Sequence, residues 1–221
     1  MTDADDGWPA DLHGVTESVV TTPGPNDLWN VAALGLHAPD APGGAGDDAG
    51  DADDAAHGGD DDVPPDAVTA TTWGRTRTWR NFRERGEGVV QFTTDPGDFV
   101  DAALAVREES TPVLASADAW VQVRPRRVDA GESGGTRWEE WVLEPVVGAV
   151  RRERVPTTNR GRYAVVDATV AASRLDVPAY DADELLARLA YFEDVVASAG
   201  SPAERAAFER VDELAGWRDR A

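Results

Sequence analysis

The apolar pattern of this chain changes period once, and that change constrains the fold more than any other feature. From Glu17 to Val150 the apolar residues come in short runs of strand formers separated by turn residues. From Asn159 onward they fall at helical spacing. Side chains alternate faces along a strand, whereas one helix face repeats every three to four residues. The reading is α+β, mainly β, with the strands first and the longer helices last.

The strand segments are specific. Glu17–Thr22 and Trp29–His37 flank the turn residues Pro23, Gly24, Pro25 and Asn26. Ala67–Trp73 alternates, Gly88–Thr94 is a further apolar run, and Ala119–Asp129 with Thr136–Val150 reads as a long hairpin around Gly131–Gly135. Six strands with two short helices predict a small antiparallel barrel. The first short helix is expected over Thr78–Arg85, ended by Gly86. The second opens with Asp95 as N-cap and Pro96 at the first helical position.

After Asn159, Ala164, Val166, Ala168, Val170 and Ala172 suit a helix, although their alternation also allows a strand. Asp181 with Glu184, and Ser201 with Glu204, mark two more helix starts. Their apolar stripes are Leu185, Leu189, Phe192, Val196 and then Ala207, Val211, Leu214, which predict a helical hairpin. The expected division is a barrel domain over 1–155 and a helical domain over 156–221.

Charge narrows the partners. The chain has 42 acidic and 21 basic residues, a formal net charge of -21, and no lysine or cysteine. Missing cysteines exclude disulfides and thiolate chemistry. Strong negative charge opposes binding to nucleic acid or anionic lipid. No apolar run approaches the roughly 20 residues of a membrane span, and Met1–Asp6 lacks the pattern of a signal peptide. The expected setting is the cytoplasm. In molar salt the Debye length is about 3 Å and self-repulsion is screened, so the composition points to a salt-accumulating, halophilic archaeal host. The stretch 38–66 is acidic, lacks Lys and Arg, and holds one large apolar residue, Val63. It is expected to be a disordered loop.

Several chemical motifs fail on inspection. Gly44, Gly46 and Gly50 mimic a dinucleotide loop, but the surrounding Asp residues would repel a pyrophosphate and no helix pattern follows. Gly131–Gly135 mimics a nucleophile loop, but it suits a hairpin turn, and no His is marked for a triad. His13, His37 and His57 share no metal-ligand spacing. The informative stretch is Trp73–Gly86. There Arg75, Arg77, Arg80, Arg83 and Arg85 reverse the local charge beside Thr76, Thr78 and Asn81. A helix start with free N–H groups, hydroxyls and guanidinium forks makes a phosphate site. The competing reading is a solvated helix whose arginines pair with nearby acids, with Thr78 acting only as N-cap.

At these residues the chain resembles the archaeal flavoprotein family of domain of unknown function 447, within the FMN-binding split-barrel group. The resemblance rests on ESVVTT (17–22), WNVAALGL (29–36), TRTWRNF (76–82), GEGVVQFTTDP (86–96), ADAW (117–120), LEPV (143–146) and TNRGRYAVVDATVAASRL (158–175). It implies a six-stranded split β-barrel that dimerises, FMN at or near the subunit interface, and a small C-terminal helical domain. It places Thr76, Thr78 and Asn81, with the neighbouring Arg75 and Arg77, on the phosphate-contacting stretch. Asn30, Val31 and Ala32 would lie along the isoalloxazine edge, with Ala33 where relatives often have Pro. Gln91 stands where many relatives have Asn, which implies a polar flavin contact. The implied activity is that of a homodimeric FMN-dependent oxidoreductase of unnamed substrate. A protein that holds FMN or another phosphorylated ligand without turnover is one alternative. A helical interaction module, with its partner on 181–220, is another.

Overall fold

Pro23, Gly24, Pro25 and Asn26 reverse the chain as their types require, and a computed structural model, which describes residues 7–39 and 63–220, shows the result. Strands β1 (Val15–Pro23) and β2 (Trp29–His37) pair antiparallel from Val15↔His37 to Pro23↔Trp29. Asp27 takes a positive φ of 62° in the turn, a conformation Asp tolerates better than most residues. The acidic stretch expected to be disordered lies, over 40–62, outside the described residues.

The strands continue with β3 (Thr69–Trp73), β4 (Gly88–Thr93), the short β5 (Arg107–Glu109), β6 (Ala117–Ser133) and β7 (Thr136–Val150). Their order is β1-β4-β6-β7-β3-β2, closed by the β1–β2 pairing, with β5 as an extra strand on β2. The expected six-stranded barrel is therefore the observed one. The long hairpin turns more tightly than expected, at Gly134 and Gly135 alone. Both have positive φ, 55° and 78°, which a two-residue turn between twisted strands requires.

The barrel core gathers Val20, Leu36, Val90, Val121, Val123 and Leu143. Helix α1 (Arg77–Arg85) is anchored to it by Phe82, which is 2% exposed and meets Trp141 edge-on at 5.4 Å between ring centroids. Burying such a ring contributes about 1.5–3 kcal/mol, and it fixes where the start of α1 lies. Trp141 in turn donates its indole N–H to Thr72 Oγ1 at 2.9 Å.

The chain divides into two compact units, residues 1–92 with 108–151, and residues 93–107 with 152–221. The second unit contains α2 (Pro96–Leu104), α3 (Arg160–Ser173), α4 (Ala182–Ala199) and α5 (Pro202–Ala215). Its core is Val100, Val165, Leu189, Phe208, Val211 and Trp217. Asn159, Asp181 and Ser201 cap α3, α4 and α5, and Ser201 with Glu204 forms a full capping box. Among the described residues no helix is long and apolar enough to cross a membrane.

Candidate functional site

Helix α1 begins one residue earlier than its sequence suggests, because Thr76 and not Thr78 is the cap. Thr76 has extended backbone angles, and its side chain accepts the Trp79 N–H at 3.2 Å. Thr78 then falls inside the first turn. It is 5% exposed, and its hydroxyl makes no hydrogen bond among the described residues. The first-turn N–H groups of a helix have no intrahelical carbonyl to reach. Those of Arg77 and Thr78 bond to no carbonyl among the described residues. Two donors, one hydroxyl and the positive end of the helix dipole thus stand together.

Asn81, one turn on, ties this helix to the first hairpin. Its amide donates to Thr22 Oγ1 at 2.9 Å. Thr22 is the register partner of Asn30, as Thr21 is of Val31 and Val20 of Ala32. Asn30 and Val31 are buried and Ala32 is half-buried. The fold therefore brings the start of β2, the end of β1 and the first turns of α1 together, from stretches some 50 residues apart in sequence.

The five arginines of the Trp73–Gly86 stretch do not act as one cluster. Arg77 turns toward β5, where its guanidinium meets Glu108 Oε1 at 3.0 Å. Glu108 Oε2 accepts from the Asn26 side chain at 3.3 Å. The exposed pair contributes little stability, but it links α1, β5 and the β1–β2 turn. Arg75 and Arg83 line a cleft facing the β6–β7 hairpin instead. Arg80 and Arg85 point to solvent and make no ion pair among the described residues.

Gln91 is fully buried and its amide is committed to the fold. Its Nε2 donates to Thr21 Oγ1 at 3.2 Å and to the Pro112 carbonyl at 2.9 Å. Its Oε1 accepts the Leu114 N–H at 2.7 Å. It thus ties β1 and β4 to the 112–114 segment and presents no polar atom to solvent. Sequence reasoning missed Thr22 and Glu108 as partners in this site. Thr22 reads there only as a strand former, and the short run around Glu108 carries no apolar pattern at all.

Comparison with known proteins places these features in a family. A model described as the N-terminal domain of a protein of unknown function, DUF447, matches residues 63–152. A second model of the same protein of unknown function, DUF447, matches 159–213. No curated protein matches the chain. Among solved structures, an FMN-bound protein from Methanosarcina mazei, assigned to the same family model, aligns at TM-score 0.68 and 19% identity, over 92% of this chain and 96% of that one. The styrene monooxygenase flavin reductase of Pseudomonas putida S12 aligns at TM-score 0.37 and 10% identity, over 64% of this chain and 83% of that one. A nitrilotriacetate monooxygenase component B homolog from Mycobacterium thermoresistibile aligns at TM-score 0.36 and 14% identity, over 65% of this chain and 72% of that one. The two family models run in order across barrel and helices and take in about two thirds of the residues, and the chain belongs to the DUF447 family.

Proposed function

We propose that this chain binds FMN at the junction of α1 with the first hairpin and acts as a homodimeric, flavin-dependent oxidoreductase of a halophilic archaeal cytoplasm. One observation carries the reading. The Thr78 hydroxyl is unpartnered beside the free N–H groups of Arg77 and Thr78, a donor set suited to a phosphate. The FMN in the Methanosarcina mazei relative supports it. Thr76 shapes the cradle as its cap, and the guanidinium of Arg77 supplies positive charge at its rim, whereas Arg75 faces the β6–β7 cleft. Asn30, Val31 and Ala32 form the adjoining strand edge for the ring system, held at the right height by the Asn81–Thr22 bond. Gln91 acts from beneath by fixing Thr21. Bound FMN would supply hydride or electron transfer. The chain's own part is to bind, orient and shield it.

The test is a titration of flavin-free protein with FMN and with riboflavin, followed by addition of NADH, NADPH or reduced deazaflavin. FMN should bind at least tenfold tighter than riboflavin, and its visible absorbance should bleach with one donor. Equal affinities refute the phosphate site. Tight flavin that no donor reduces favours a binding protein without turnover. Light scattering showing a flavin-bearing monomer refutes the homodimer.

A further inference from the structure

In a chain of net charge -21, four guanidinium groups converge on one cleft. The cleft measures about 320 Å³ and lies wholly within the barrel unit, between α1 and the far end of the β6–β7 hairpin. Arg75 and Arg83 line it from the α1 side, and Arg127 and Arg137 from the hairpin. Among the described residues two carboxylates face these four guanidiniums, so half of the positive charge is left over. Arg83 meets Glu139 at 3.0 Å, Arg127 approaches the same oxygen at 3.8 Å, and Arg137 lies 3.8 Å from the exposed Glu132. Arg75 has no ion pair among the described residues.

The walls are aromatic and fixed. Trp79 carries Arg83 over its ring at 5.2 Å. Trp138 stands opposite Gly131 in the hairpin register. A Cβ at 131 would lie 2.6 Å from the Trp138 ring, so only glycine lets the indole rest against the β6 backbone. At the floor, Glu139 is 9% exposed, and its Oε2 is buried with no hydrogen-bond partner. A donor that reached this acceptor would relieve the cost of an unsatisfied buried group.

This cleft and the Thr78–Asn81 face lie on different sides of α1. Arg83 follows Asn81 by two residues, about 200° around a helix, and Phe82 between them is driven into the core.

We propose that the cleft binds the phosphorylated nucleoside moiety of a nucleotide, as a second site separate from the flavin phosphate site. The phosphate sits on paired guanidinium forks, which match phosphate oxygens in a bidentate way. The base lies against the indoles, and a ribose hydroxyl or base amine donates to Glu139 Oε2. The volume falls at the small end of ligand sites, the size of one nucleotide unit. The inference does not depend on the flavin reading.

The test is isothermal titration calorimetry of the full chain with adenosine 5′-monophosphate, adenosine and inorganic phosphate, on the parent and on Arg127→Gln/Arg137→Gln. The parent should bind the monophosphate with a sub-millimolar dissociation constant. Adenosine and inorganic phosphate should each bind at least tenfold more weakly. The double variant should lose at least tenfold in monophosphate affinity, with flavin content and melting temperature unchanged. Absent binding, monophosphate no tighter than inorganic phosphate, or an unaffected double variant overturns the proposal. Joint loss of flavin and monophosphate binding also overturns it, by assigning the cleft to the flavin site. Thr78→Val separates the two readings further. It should lose FMN and keep the monophosphate, and parallel loss of both refutes the separation.

Discussion

Thr76 and Thr78 are two residues apart and chemically identical, yet the structure gives them opposite tasks, and single substitutions should separate them. Thr76 spends its oxygen on the Trp79 N–H. Thr76→Ala removes a cap and should cost about 1 kcal/mol of stability, roughly 2–4 °C in melting temperature for a chain of this size. FMN affinity should stay within about threefold, since no hydroxyl aimed at the phosphate has gone. Thr78→Val keeps the buried volume and removes the unpartnered hydroxyl. A hydrogen bond to a charged group contributes about 1.5–3 kcal/mol. At about 1.4 kcal/mol per tenfold, FMN should bind roughly ten- to a hundredfold more weakly. Melting of the flavin-free variant should match the parent. Thr78→Ser, which restores the hydroxyl, should recover affinity, and riboflavin should bind all four proteins alike. The assay is quenching of flavin fluorescence on titration into flavin-free protein, beside thermal melts of the same samples. If Thr78→Val binds FMN like the parent, the hydroxyl is not a phosphate ligand. If Thr76→Ala loses as much FMN affinity as Thr78→Val, the division of tasks is wrong.

Gln91→Leu should strip the partner from the buried Leu114 N–H, at about 1–3 kcal/mol, while the Pro112 carbonyl keeps the Thr21 hydroxyl. A denaturant midpoint unchanged from the parent contradicts this. Gly161→Ala places a Cβ 2.4 Å from the Gly200 Cα. Backbone must move, and the loss should reach about 3 kcal/mol, read as earlier melting of the helical signal. Glu204 is held below its usual carboxylate range, first by hydrogen bonding from the Ser201 side chain and then by the Ser201 N–H, against the opposing effect of burial. Its folded pKa is depressed, so its stabilisation is present above about pH 4.5 and lost as pH falls through the lower folded value. Glu204→Gln should flatten that part of the acid melting profile, and an unchanged slope there counts against the capping box. Raising salt from about 0.1 M to 1 M shortens the Debye length from about 10 to 3 Å. With a net charge of -21 the melting temperature should climb steeply, and a flat response refutes the halophilic reading.

Much of the fold is legible because each element carries its own local signal. The Gly-rich run at 131–135 can close a hairpin, Asp95-Pro96 can open a helix, and Ser201 with Glu204 announces α5 before any packing is known. Elements that depend on partners are not legible. Arg107–Glu109 becomes a strand only because the edge of β2 is there to receive it, and three residues cannot show a period. Likewise α2 sits in sequence between two strands of the barrel unit but packs in the helical core through Val100. Its amphipathic face states that it needs a partner, not which partner.

The site repeats this contrast at finer scale. Sequence places Thr76, Thr78, Asn81 and five arginines within eleven residues, and a linear count of charge treats them as one patch. Helical geometry then distributes them. At about 100° per residue, Asn81 turns to Thr22 while Arg83 turns to Glu139. Phe82 decides which way each of them points, because the free energy of burying its ring fixes the rotation of the whole helix. A single aromatic residue thus divides one basic stretch into two candidate binding faces. A substitution at Phe82 that let α1 roll should disturb both sites together, whereas substitutions at Thr78 or at Arg127 and Arg137 should disturb one each.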